Sequence, residues 1–331
     1  MKNHRDEGIC VYGAGVLLKH LGALEKEQEG VRNGSADIEY IHRMRVASRR
    51  LRAALPLFAG CLPKRKAEVW LKDIRRITQA LGAARDADVQ IDALAKYARK
   101  QDDPTQGPGL TRLLLRLRQH RAALQAPLEE AIARLESDNT VPDLRAVLEP
   151  LAAQAEQVYV FTPQLYRHAF QHITGRLDDF LGYAEIVHQP DKVAELHEMR
   201  IAAKWLRYTM ENFAPLYGGE LKDWLNPVRE MQEQLGDIHD CDVWGVYLPQ
   251  FMEEERERML AYLGHVKSYH RLVLGFQGFL IDRQTMRDRR YAEFRAYWDS
   301  LLEQDLWAGL RKQIGLPITL TPNWPPPALS E

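Results

Sequence analysis

The amino-acid sequence predicts an all-α fold of two tandem helical bundles produced by an internal duplication. Three observations predict it. Apolar residues recur at helical spacing, with no sustained period-two alternation that would mark strands. Segments 42–58 and 197–213 repeat one another, identical at seven of seventeen aligned positions. A second pair, 81–89 and 235–243, repeats downstream in the same order. A repeat of about 150 residues is too long for a solenoid unit, and it predicts bundles packed with approximate two-fold symmetry.

The elements follow in order. A helix over 9–28 places Val16, Leu17, Leu21 and Leu24 on one side, and Gly30, Asn33 and Gly34 break it. Asp37 is placed to cap a second helix, which carries the first repeat to about Ala59 with Pro56 near its end. Gly60 and Pro63 punctuate. A third helix over 64–83 stops around Gly82, and 85–88 offers the N-cap of a fourth that ends near 101. A loop over 102–109 precedes a basic helix, 110–136, bearing Arg112, Arg116, Arg118, His120 and Arg121. After a break at 137–142 comes a helix over 143–158, and Thr162-Pro163 forms the hinge between halves. The second half repeats the plan with helices at 163–187, 191–216, 220–236, 241–262, 265–281 and 284–313, Gly218-Gly219 ending the second of them. The expected organisation is one domain over 1–315, made of halves 1–158 and 159–315. A Pro-rich extended tail follows from Leu316, with Pro317, Pro322, Pro325, Pro326 and Pro327.

The chain of 331 residues carries 45 Lys and Arg against 46 Asp and Glu, so bulk charge indicates no polyanion partner. Charge is concentrated locally instead: 42–76 holds eleven basic residues and two acids, Glu68 and Asp73. Cys10, Cys61 and Cys241 are far apart, odd in number and without CxxC spacing, which fits a reducing compartment. No apolar run is long enough to span a bilayer, and the start of the chain lacks a convincing cleavage site. A cytoplasmic protein without a membrane partner is expected.

The repeated motif is HRMRVASRRLR at 42–52 and HEMRIAAKWLR at 197–207. His42, Arg45, Arg49 and Arg52, and likewise His197, Arg200, Lys204 and Arg207, fall within an arc of about 80° on a helix. Met44, Ala47, Leu51, Leu55 and Phe58 lie opposite, as do Met199, Ala202, Leu206, Met210 and Phe213. A solvated cationic face is the ordinary reading of such a helix. Binding is favoured because the spacing is kept while neighbours change, as in Arg43/Glu198 and Arg50/Trp205. Acids at i±4 are nearly absent from the first copy, and Arg suits bidentate capture of phosphate oxygens. Cations on every turn match a linear polyanion. Arg75 and Arg229 also correspond in the repeat.

His42 and His197 read as hydrogen-bonding partners of a phosphate oxygen, since cations at i+3 and i+7 would repel a metal ion. The element Leu-Gly-x-x-(Arg/His)-Asp-x-Asp reads first as a tight helix–helix joint. Its second reading is that Asp86, Asp88, Asp240 and Asp242 hold basic side chains in place. His239-Asp240 also has the form of an HD dyad. A metal-dependent phosphohydrolase using His42, His197, His239 and Asp240 is therefore the alternative, and a nucleic-acid binder using the same cations is another. No Walker, Rossmann, GxSxG or HExxH motif is present, and no cofactor or metal is expected. Trp205, Tyr208, Trp244, Tyr247 and Trp298 read as core.

Together HRMRVASRRLR at 42–52, LGAARDAD at 81–88, LHEMRIAAKWLRY at 196–208 and LGDIHDCD at 235–242 resemble the CHAD family, the conserved-histidine α-helical domain. Two departures stand out: His239 replaces the family's Arg, and Trp205 replaces a basic residue, so the second half is expected to contribute less charge. The resemblance implies a duplicated bundle of long helices around a basic central groove or pore. It implies inorganic polyphosphate as ligand, granule localisation in some members, and a standalone, non-catalytic binder, as no EXEXK-type triphosphatase signal accompanies it. The residues expected to line the site are His42, Arg45, Arg49, Arg52, Arg75, His197, Arg200, Lys204, Arg207 and Arg229.

Overall fold

The computed structural model describes residues 6–32 and 39–319. Among them the protein is all-α, and no strand occurs. The first seven helices are α1 (Glu7–Arg32), α2 (Glu39–Leu57), α3 (Lys64–Lys100), α4 (Gly107–Ala123), α5 (Gln125–Ser137), α6 (Thr140–Ala152) and α7 (Pro163–Leu181). Then come α8 (Val193–Phe213), α9 (Lys222–Leu263), α10 (His270–Glu303) and α11 (Leu306–Thr319).

Two helices are longer than expected. α3 passes through Gly82 and α9 through Gly236 without interruption, so the expected helix–helix joints do not exist. A glycine in a helix interior costs about 1 kcal/mol, which does not forbid the helix. Leu81, Ala84 and Ala87 on α3, and Leu235, Ile238 and Cys241 on α9, keep a buried stripe across the glycine, so packing carries each helix onward. Likewise α10 continues through the expected break near 282–283, and the real break falls at Asp305, in the left-handed region at φ 51°. The expected basic helix over 110–136 is divided at Leu124 into α4 and α5.

Gly30 lies inside α1 rather than ending it; a Cβ there would overlap the Tyr40 ring, so the glycine lets α2 begin against α1. Thr162 caps α7 by accepting from the Leu165 amide at 3.1 Å. Gly218 and Gly219, at φ 56° and 88°, close the turn after α8 as expected. α11 runs to Thr319 with Pro317 buried, which corrects the expected start of the extended tail at Leu316. The break at Asn33 and Gly34, the Asp37 cap and Pro322, Pro325, Pro326 and Pro327 lie outside the described residues.

The apolar core is not partitioned at the expected hinge. One cluster unites α1–α3 with α5–α11, from Leu17 and Leu51 through Leu206 to Trp298. A smaller one joins Leu94 of α3 and Leu113 of α4 to Trp244 of α9 and Phe276 of α10. Within it α4 and α10 cross backbone to backbone: a Cβ on Gly109 would fall 3.0 Å from Cα of Gly275. Trp244 and Trp298 are buried as expected.

Two of the cysteines, distant in sequence, are adjacent in the fold. Cys10 of α1 and Cys61, in the turn after α2, form a disulfide, leaving buried Cys241 as the free thiol. Their separation of 51 residues conceals a close approach that only the α1–α2 packing creates.

Candidate functional site

The core fixes which way both motifs face. Met44, Ala47, Leu51 and Leu55 of α2 are buried, as are Met199, Ala202, Leu206, Met210 and Phe213 of α8. Helical geometry then turns the cations of each motif to the opposite side. The two helices pack together. The Arg49 guanidinium lies over the Tyr208 ring, 5.5 Å from its centroid, and that of Arg52 over Trp205 at 5.7 Å. Advancing along α2 thus means retreating along α8, so the motifs cross in opposite directions, with His42 and His197 towards opposite ends.

Between these helices the cations crowd one another. Burial, then Arg49, Arg200, Arg52 and Arg45, drive the Lys204 amine down to about 7. Burial also lowers Arg49; Tyr208 opposes this, while Arg45, Arg200 and Arg207 reinforce it. Burial and Arg75 lower Arg52. Seven of the ten expected residues, six from the two motifs and Arg75 from α3, are therefore one electrostatic cluster. Desolvated like charges are costly unless an anion neutralises them.

The long helices supply the supports. A Cβ at Gly82 would stand 3.8 Å from Nε of Arg45, and one at Gly236 would stand 3.8 Å from Nε of Arg200. Each glycine lies beneath the arginine three positions after a motif histidine. Arg45 donates to Asp86 at 3.2 Å. Asp88 accepts from Arg121 of α4 at 2.8 Å, and Asp242 from Arg287 of α10 at 2.5 Å. These aspartates hold basic side chains; they cap no helix. Asp240 keeps an exposed surface, yet its carboxyl is pushed up to about 6 by desolvation, against the pull of Arg200 and with Asp237 and Asp86 adding to the rise.

Nδ1 of His197 meets Nδ1 of His239 at 3.0 Å. One ring must donate and the other accept. Burial, then Arg200, His197 and Lys204, hold His239 down to about 4. His42 is lowered by burial and then by Arg85, with Arg45 and Arg49 adding to the effect and Glu39 opposing it. Its Nδ1 is buried without a hydrogen-bond partner. His239 is not among the residues expected to line the site, yet it takes the place of Arg85 in the repeat and lies against His197. Arg75 and Arg229 are exposed, and Arg229 borders a cleft of about 600 Å³ that also contains His42.

Two aromatic residues expected in the core serve the cations. Tyr208 is buried but carries Arg49 and, at 5.0 Å, Arg207. Trp205 is partly exposed and carries both Arg52 and, at 5.5 Å, Arg176 of α7. No motif pointed to Arg176. Trp205 therefore does not simply lower the charge of its half, because it gathers guanidinium groups from two other helices.

Among the described residues no group of three or more His, Cys, Asp or Glu side chains is placed to hold a metal ion. The alternative set divides: His197 and His239 meet, while His42 lies beside Arg85. Among those residues no helix is long and apolar enough to cross a membrane.

Known proteins resemble this chain both in sequence pattern and in fold. The model of the CHAD domain family matches residues 15–249. The crystal structure of the CHAD domain from the plant Ricinus communis superposes with a TM-score of 0.64 at 25% identity, covering 87% of this chain and 91% of that chain. No curated protein matches in sequence.

Proposed function

The chain belongs to the CHAD domain family, and from that premise we propose that it binds inorganic polyphosphate in the groove between α2 and α8, without catalysis. The observation that carries this reading is the gathering of Arg45, Arg49, Arg52 and Arg200 around the buried Lys204, whose amine is depressed to about 7 by burial first and by these arginines second. A linear polyanion lying along both motifs neutralises all of them together. Arg75, Arg207, Arg229, His42 and His197 extend the contact surface, and the arginines offer the planar, paired donors that phosphate oxygens accept.

The two halves are read as products of one duplication. The equal 3.8 Å approaches of Gly82 to Arg45 and Gly236 to Arg200 support that reading, as do the parallel pairs His42/Arg85 and His197/His239. The reading places the protein in the cytoplasm, at polyphosphate granules. A Cys10–Cys61 disulfide that persisted in cell extracts would move it to an oxidising compartment.

Replacing Arg45, Arg49, Arg200 and Arg207 together by Ala tests the reading. Binding of long-chain polyphosphate should be lost while helicity by circular dichroism is kept. Competition against DNA and RNA of matched charge should favour polyphosphate. Release of phosphate that depends strictly on added divalent metal would instead make the protein a phosphohydrolase.

A further inference from the structure

The groove has unlike ends, and the difference lies in helices outside the two motifs. α1 and α7 occupy corresponding places in the two halves. Cys10, Gly13, Leu17, Leu21 and Leu24 are buried on α1, and Tyr166, Ala169, Ile173, Leu177 and Phe180 on α7, each pair separated by 156 positions. With that alignment Lys19 and Lys26 of α1 correspond to Gly175 of α7 and to Gly182, just past its end. His20 corresponds to Arg176, the residue over Trp205. One end is thus occupied by an arginine–tryptophan stack, and the other opens beside two lysines.

Lys19 and Lys26 are exposed, share one face of α1 at i and i+7, and have no ion-pair partner among the described residues. They border the cleft of about 600 Å³ that also contains His42 and Arg229. Two other cations of this cleft are already paired: Arg43 with Glu27 at 2.7 Å and Arg50 with Glu211 at 3.1 Å. Lys19, Lys26 and Arg229 are left to attract an anion beside His42, whose Nδ1 is buried and without a hydrogen-bond partner among the described residues. His42 lines the cleft and also lies near Arg45 and Arg49 of the groove, so it joins the two cationic surfaces.

We propose that a polyphosphate chain leaving the groove at His42 turns onto α1 and is held there by Lys19 and Lys26, which lengthens the binding track at this end only. The proposal rests on the groove binding polyphosphate. Its consequence is a preference for chain length: a short oligophosphate is held by the central arginines, whereas a longer chain also gains the lysine contacts. The four cationic positions on α2 span about 15 Å by helical rise, so tripolyphosphate is satisfied without reaching α1.

The test compares wild type with the double variant Lys19→Ala, Lys26→Ala, titrating each with tripolyphosphate and with long-chain polyphosphate over a salt series. Both lysines are exposed, so the fold is kept. The variant should bind long chains about fivefold to tenfold more weakly, with a log–log salt slope shallower by roughly 1.4–1.8. Its affinity for tripolyphosphate should be unchanged. Equal loss for both ligands, or none for the long chain, overturns the extension while leaving the groove intact. A wild-type protein that binds neither ligand overturns the groove and the extension together.

Discussion

Nδ1 of His197 lies 3.0 Å from Nδ1 of His239, joining a motif histidine on α8 to the residue that replaces Arg85 of the first half. The contact needs one donating ring and one neutral accepting ring, and burial, then Arg200 and Lys204, oppose the second proton that would charge either one. An unfolded histidine titrates near 6.5 and His239 in the fold near 4. Between these values the unfolded chain binds the extra proton, so this residue's contribution to stability declines as pH falls from 6.5 to 4. Asp240, raised to about 6, acts in the opposite direction over the lower part of that window. The measurement is therefore a difference: thermal midpoints of wild type and His239→Gln across pH 4–7. Wild type should lose more stability on acidification than the variant; parallel curves would contradict the pairing.

Lys204 carries a second pH signature. With its amine held down to about 7, it is largely neutral at pH 8 in the free protein. A bound polyanion restores its charge, so binding at pH 8 should take up close to one proton, and affinity should fall as pH rises above 7. Calorimetry at pH 8 in buffers of different ionisation enthalpy measures this uptake. Lys204→Arg, which stays charged, should remove that part of it.

The glycines beneath the arginines separate stability from binding. A Cβ at Gly236 would stand in ordinary contact with Arg200, 3.8 Å from Nε. Gly236→Ala should therefore raise helix stability by about 0.5–1 kcal/mol and preserve binding. Gly236→Leu should displace Arg200 and weaken polyphosphate binding several-fold with helicity intact. Equal affinity for the two variants would show that Arg200 does not need this space.

Much of this site was legible before folding. The spacing of His42, Arg45, Arg49 and Arg52 and its repetition at 197–207 placed the cations on one face, because an apolar stripe of period 3.6 leaves the polar residues little choice. The unbroken course of α3 and α9 was not legible. Gly82 and Gly236 carry the local signature of a helix end, and only the buried stripes on either side overrule it. Arg176 and Cys61 were equally hidden, since Trp205 and Cys10 reach them through helix packing rather than sequence proximity. Trp205 and Tyr208 were read as core from their spacing, which reports the face of a helix but not the guanidinium groups arriving from its neighbours.

The Cys10–Cys61 bond closes a loop of 51 positions around the α1–α2 pair. Its loss should cost about 2–4 kcal/mol through the greater freedom of the unfolded chain. Cys61→Ser should lower the unfolding free energy by that amount under oxidising conditions and leave it unchanged under reducing ones. Thiol titration of the unfolded, unreduced wild type should find one reactive group, Cys241; three would show that the bond had not formed.

If the two antiparallel motifs form one polyanion groove, the salt dependence of long-chain polyphosphate binding must respond to both of them. If Arg45, Arg49, Arg52, Arg200, Lys204 and Arg207 contact phosphates together, these six alone should make log affinity fall linearly with log salt at a slope of roughly −4 to −5, from 0.7–0.9 per contact, and Lys19 and Lys26 should steepen it by roughly 1.4–1.8 for a long chain. Removing Arg45 and Arg49 should flatten that slope by about as much as removing Arg200 and Arg207. A salt-independent affinity, or a slope that responds to only one motif, would contradict a groove shared between α2 and α8.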